Sequence, residues 1–171
     1  HHTTLQEFIR YLLKVNKVGT QWNKDIIQEL TQYFLEQLFI DVGYKNITVT
    51  FCRLLPLSLV SSLAPLVKKA FADNEADKAL IYYYLIANGK HKEALKVDLE
   101  AIFSLLAKDC LKAIFAFTFL ESCGFFQSKF SYDIIDKSLI ITLIAIISEK
   151  DFPLTLELIK DSQFVQISFL L

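Results

Sequence analysis

Lys78–Val97 reads KALIYYYLIANGKHKEALKV, and the fold turns on it: three tyrosines in a row, then a lone histidine among lysines behind a glycine. The run before Gly89 reads as a helix that turns Ala76, Ala79, Leu80, Tyr83 and Ala87 inward. At about 100° per residue, three consecutive tyrosines cannot share one face. Tyr82 is therefore expected to face largely outward, with Tyr84 on the flank. Gly89, behind Asn88, supplies a left-handed stop. Ala94 and Leu95 then start a second helix, continued by Leu99, Ile102, Phe103 and Leu106. The stretch is a helical hairpin, and His91 marks its turn.

The same punctuation recurs on either side. TTLQEFIRYLLKV (residues 3–15) has Thr4 and Glu7 at capping-box spacing and an apolar stripe of Leu5, Phe8, Ile9, Leu12 and Leu13. VGTQW breaks it at residues 18–22. Asn23 caps a second helix with Ile26, Ile27, Leu30, Phe34 and Leu38 inward, ending near Gly43. In residues 46–72, ITVTF alternates like a strand, but nothing is present to pair with it, so helix is expected. Pro56 and Pro65 divide that region into short helices.

Asp73 or Asn74 caps the tyrosine helix, Asp109 opens CLKAIFAFTFLESCG, and Gly124 stops it. In that helix Phe115 and Phe119 share a face and Phe117 lies opposite. Ser131 opens the next helix, and Asp151 caps FPLTLELIK with Pro153 in the first turn. Turns near Gly89, Gly124 and Lys150 fall about 30 residues apart, the length of a helical-repeat unit. The expected fold is all-α: about eight or nine helices in stacked antiparallel hairpins, an irregular α-solenoid or helical-repeat bundle.

Composition agrees. Of 171 residues 53% are hydrophobic, with 15 Phe and 7 Tyr, while 4 Gly and 3 Pro leave few turns for a sandwich or barrel. A net charge of −1 argues against a general electrostatic role on nucleic acid or acidic membranes. The longest apolar run, LIITLIAII at 139–147, falls well short of the roughly 20 residues of a membrane span. Cys52, Cys110 and Cys123 form no metal-binding or disulfide pattern and read as buried thiols in a reducing, cytoplasmic or nuclear compartment. Asn46-Ile47-Thr48 matches the glycosylation sequon and reads as a chance triplet.

His1-His2 reads as the end of a purification tag, and residues 3–171 as a single helical domain. The apolar end FVQISFLL suggests a fragment of a larger protein. The lack of any methionine sets the expectation that methionines or loops of the natural chain are missing from this sequence. An intact mass above 19.7 kDa would show it.

Catalytic chemistry is sought in vain. His91 has no Cys, Asp or Glu at ligand spacing. Gly89-Lys90 lacks the rest of a phosphate loop. Asp133 with Asp136, and Asp73, Glu75 and Asp77, stand where helix starts favour carboxylates. Ser61-Ser62 lies in no nucleophile motif. No catalytic, metal or cofactor residue is assigned, and the chain is expected not to be an enzyme. The candidate partner contacts are Tyr82 and Tyr84, since exposed tyrosine suits protein interfaces, together with the basic Lys90 and Lys92; packing of the tyrosines against an adjacent helical layer is the other expectation. Lys68-Lys69 extends that basic surface.

ALIYYYLIANGKHKEAL resembles the hairpin of an α-solenoid: aromatic helix, Asn-Gly turn, basic residues, then Glu-Ala-Leu into the next helix. It is similar in style to repeats of clathrin heavy chains, vesicle-tether and vacuolar sorting subunits, and scaffold nucleoporins including the ELYS-like domain. AIISEKDFPLTLELIK (145–160) repeats the style without the glycine. The tetratricopeptide and ankyrin signatures do not recur. The resemblance implies a non-catalytic scaffold or adaptor in trafficking or at the nuclear pore, joined to protein subunits of a larger assembly. A helical bundle for a lipid or small apolar ligand, or an enzyme domain without a recognisable motif, is the competing expectation. A closed apolar cavity between helices would favour it.

Overall fold

Four aspartate or asparagine side chains set much of the helical frame. Asn23 accepts the Ile26 amide, Asp98 that of Ala101, Asp109 that of Lys112 and Asp151 that of Leu154. Each satisfies one of the amides that a helix start leaves without an internal partner. The structure is a computed structural model and describes residues 2–87, 94–124 and 137–161.

The elements are α1 (His2–Val15), a ribbon of β1 (Lys17–Val18) and β2 (Gln21–Trp22), α2 (Lys24–Gln37), α3 (Tyr44–Leu54) and the single turn α4 (Leu57–Val60). A 3-10 turn (Ser61–Leu63) follows, then α5 (Ala64–Ala72), α6 (Ala76–Ala87), α7 (Leu99–Ala107), α8 (Cys110–Ser122), α9 (Lys137–Lys150) and α10 (Phe152–Asp161). The fold is all-α, with nine helices longer than one turn among the described residues.

ITVTF is helical, as its lack of a partner strand required, and its Thr48 hydroxyl donates to the Phe34 carbonyl of α2. Pro56 sits just before α4 and Pro65 in the first turn of α5, where the missing N–H costs nothing. VGTQW does more than break α1. It forms an antiparallel ribbon pairing Lys17 with Trp22, turned at Gly19 with φ +62°.

Several local expectations are corrected. α1 begins ahead of Thr4, so Thr4 lies inside it and is no cap. α2 ends at Gln37, before the expected stop at Gly43. α7 starts at Leu99 rather than Ala94, because Asp98 claims the cap. Asn74 caps nothing: it takes a left-handed φ of 61° and ends α5, with its amide on the Phe71 carbonyl and that of Glu75 on the Ala70 carbonyl. Glu75 then occupies the first position ahead of α6, its carbonyl accepting the Ala79 amide. The expected turn at Asn88–Gly89 and the helix start at Ser131 lie outside the described residues.

α6 is the hub. It packs on α5, α8, α7 and α3, and every residue from Ala79 to Ala87 is buried. Beyond it α8 and α7 meet α9, and α9 meets α10, while α1 and α2 pack on α3. Each buried large apolar side chain contributes about 1.5–3 kcal/mol by leaving water, so α6 is the densest source of core stability.

Candidate functional site: a charged-rim cleft beside an aromatic strip

The tyrosine run is corrected first. Tyr82 is 9% exposed and Tyr84 3%, so neither ring faces outward. A helix walled on all sides has no outward face to offer, and the argument from one core face does not apply to it. Tyr84 is closed to a partner in this fold, whereas Tyr82 reaches the surface through a cleft. Lys90, Lys92 and His91 lie outside the described residues.

The cleft has a volume of about 350 Å³ and lies between the end of α2 and the α5–α6 turn. Leu35, Phe39, Leu66 and Ala70 give it apolar walls. Three carboxylates (Glu36, Asp73, Glu75) and two lysines (Lys69, Lys78) line it as well. Lys78 Nζ is 2.7 Å from Glu75 Oε2 and also stands 5.2 Å above the Phe39 ring, a cation–π contact. Among the described residues Glu36 accepts a hydrogen bond from the neutral Gln32 amide alone, at 2.9 Å. Among the described residues Glu36, Asp73 and Lys69 make no ion pair.

Tyr82 is the polar group at the bottom. Its ring packs 5.9 Å from that of Phe39. Burial, and then the carboxylates of Glu75, Glu36 and Asp77, hold its hydroxyl well above the usual phenol range, so it stays protonated.

Outside the cleft the apolar surface continues. The Phe39 ring lies 6.0 Å from Phe115 and 5.1 Å from Phe119 of α8. Phe115 is partly open, and Ile40, which also lines the cleft, and Leu111 are 78% and 79% exposed. Lys112 ties α8 to the α5–α6 turn by donating to the Asn74 carbonyl at 2.7 Å. These residues were not foreseen as contacts. The signal was available: Leu111 and Phe115 stand four apart on a helix apolar nearly all round, and Phe39-Ile40 outrun the last inward position of α2.

A second apolar stripe lies on α1, where Phe8, Tyr11 and Val15 are all more than half exposed. Ile9 and Leu13 hold that helix to the core, and Phe8, expected with them, turns out to water. Ile26, also expected inward, is exposed while its neighbour Ile27 is fully buried.

No group of three or more potential metal-ligating side chains occurs among the described residues. A smaller cavity of about 290 Å³ includes Cys123, but burial pushes that thiol up to about 11, outweighing the opposite pull of Lys45. It is held as an unreactive thiol. Among the described residues no single helix is long and apolar enough to cross a membrane; α3 with Leu57–Ala72 passes by composition only if joined across a 112° bend. The cleft and the two exposed stripes offer apolar and charged contact surface. Comparison with protein-family models, with curated proteins and with solved structures yields no match.

Proposed function

We propose that this chain is a non-catalytic interaction module, a scaffold or adaptor built from helical hairpins that joins protein subunits of a larger assembly. One observation carries the reading: large apolar side chains are left in water in organised groups, Phe8, Tyr11 and Val15 on α1 and Ile40, Leu111 and Phe115 beside the cleft. Scattered single exposures are ordinary, but grouped ones mark surfaces that a partner covers. The helix pairings support it too, since most helices pack on the next or the next but one, as stacked hairpins do. The trafficking and nuclear-pore assignment rests on the resemblance of ALIYYYLIANGKHKEAL, and an intracellular site of action on the three free thiols, Cys52, Cys110 and Cys123.

The test is capture of partners from extract of the source organism, with the chain as bait, washed at low and high salt. The wash is followed by solvent extraction of the bait. Stoichiometric protein partners that survive high salt are expected, because apolar contacts are not screened. A bait that holds no protein but releases a lipid or small molecule would replace this reading with the ligand-binding bundle.

A further inference from the structure

A phenol buried as deeply as Tyr82 ordinarily finds a hydrogen-bond partner. Its hydroxyl makes no hydrogen bond to any described residue, and its side chain lines the cleft, 9% exposed. An outside group that offers this hydroxyl a hydrogen bond gains one that the described residues do not supply. The site therefore has a polar anchor point awaiting an outside group, with apolar walls around it.

The charges say which group. Of the lining carboxylates, Glu75 is occupied by Lys78. Glu36 and Asp73 carry no cation, and Asp77 adds its charge near the Tyr82 hydroxyl. Among the described residues Lys69 in the lining and Lys112, whose ammonium sits on the Asn74 carbonyl of the α5–α6 turn, stand against them. With Lys78 they are still outnumbered by Glu36, Asp73, Glu75 and Asp77. The surplus is negative, so an incoming N–H cation is favoured and an anion is opposed. The Phe39 ring already accepts a cation on its face from Lys78, and a guanidinium stacks on such a ring as readily.

The surroundings say how large the occupant is. At about 350 Å³ the cleft takes one or two side chains, and the apolar surface runs on from Phe39 to Phe115, Leu111 and Ile40. A small amine would leave that strip in water. An amphipathic helix covers both, setting one apolar side chain in the cleft and the next ones, three or four residues on, along α8.

We infer that the cleft between α2 and the α5–α6 turn, with the Phe115 strip, is a docking groove for a helix of a protein partner. That helix presents an apolar anchor and an Arg or Lys one turn away, the cation reaching Glu36 and Asp73 and the Tyr82 hydroxyl. This rests on the scaffold reading and names its surface.

The probe is a phage-displayed library of helical peptides of about 16 residues, about four turns, selected on the whole chain. Affinities of the selected peptides are then measured by fluorescence anisotropy. Selected sequences are expected to carry Arg or Lys three or four positions from a Leu, Phe or Ile. The Glu36→Lys/Asp73→Lys double variant should weaken them at least about tenfold. Tyr82→Phe, which keeps the ring, should weaken them about 3- to 10-fold. Circular dichroism and thermal unfolding of both variants exclude misfolding as the cause.

Acidic selected peptides, or affinities indifferent to these three substitutions, would overturn the groove. So would a library that returns no binder. Peptides lost on Phe8→Ala/Tyr11→Ala but not on the cleft variants would move the contact to α1, leaving the scaffold reading intact. That reading falls separately, if extract yields no protein partner.

Discussion

Asn74 sits at φ 61°, a conformation that costs an ordinary L-residue about 1–2 kcal/mol and glycine almost nothing. Asn74→Gly should leave stability unchanged or raise it slightly, whereas Asn74→Ala should lower it by about 1 kcal/mol. Urea denaturation of the two variants checks the pair. The sequence pointed to this position and assigned it the wrong task, because asparagine serves equally well before a helix and after one. The caps at Asp109 and Asp151 were legible for the converse reason, since each stands directly ahead of an apolar-periodic run, whereas Asp98 was passed over because Ala94 and Leu95 already looked like the start of that run.

The thiols give a second residue-scale prediction. In the folded chain Cys123 titrates near 11 rather than at its ordinary 9.0. The unfolded chain therefore gives up this proton first, and the stability that Cys123 contributes is present below pH 9 and lost as pH rises through about 11. In a labelling time course at pH 8, partly exposed Cys110 should react first, with buried Cys52 and Cys123 reacting only on unfolding.

At the scale of the element, α8 has two unlike faces. Phe117 is almost wholly buried and Phe115 partly open. Phe117→Ala should cost about 3–5 kcal/mol as a cavity substitution, and Phe115→Ala less than about 1 kcal/mol, the difference being read in the denaturation midpoint.

α6 shows where sequence reasoning stopped short. Ala79 to Ala87 contains no charged residue, a composition that belongs to a helix enclosed on every side. A one-sided stripe was assumed instead, so Tyr82 was placed toward solvent and Tyr84 on the flank, whereas packing against neighbouring helices, the other reading of the tyrosine run, is what their burial shows. The opposite error was made on α1 and α2, where Phe8 and Ile26 look like core residues by type and spacing. Periodicity says which side chains share a face, but not how far around the helix its neighbours reach.

For the whole molecule, the all-α class was legible from few breakers, helical periodicity and caps. The cleft was not, because its parts come from residues 32 to 82 and meet only through tertiary packing. The aromatic strip joins residue 39 to residue 115 across α6 and α8 in the same way. The α1 stripe carries its own prediction. Phe8→Ser with Tyr11→Ser should change thermal stability by less than about 0.5 kcal/mol per site while reducing self-association in sedimentation at high concentration. A larger loss of stability would mean that this face is part of the core.

The most direct measurement is cross-linking mass spectrometry on the assembly captured from the source extract with a lysine-reactive reagent. Lys69, Lys78 and Lys112 ring the cleft and its strip, so they report contact there. Cross-links from these lysines to one stoichiometric protein, lost with Glu36→Lys/Asp73→Lys, are the predicted result. A captured chain whose lysines link only to one another, with a lipid or small molecule released on extraction, would contradict the account.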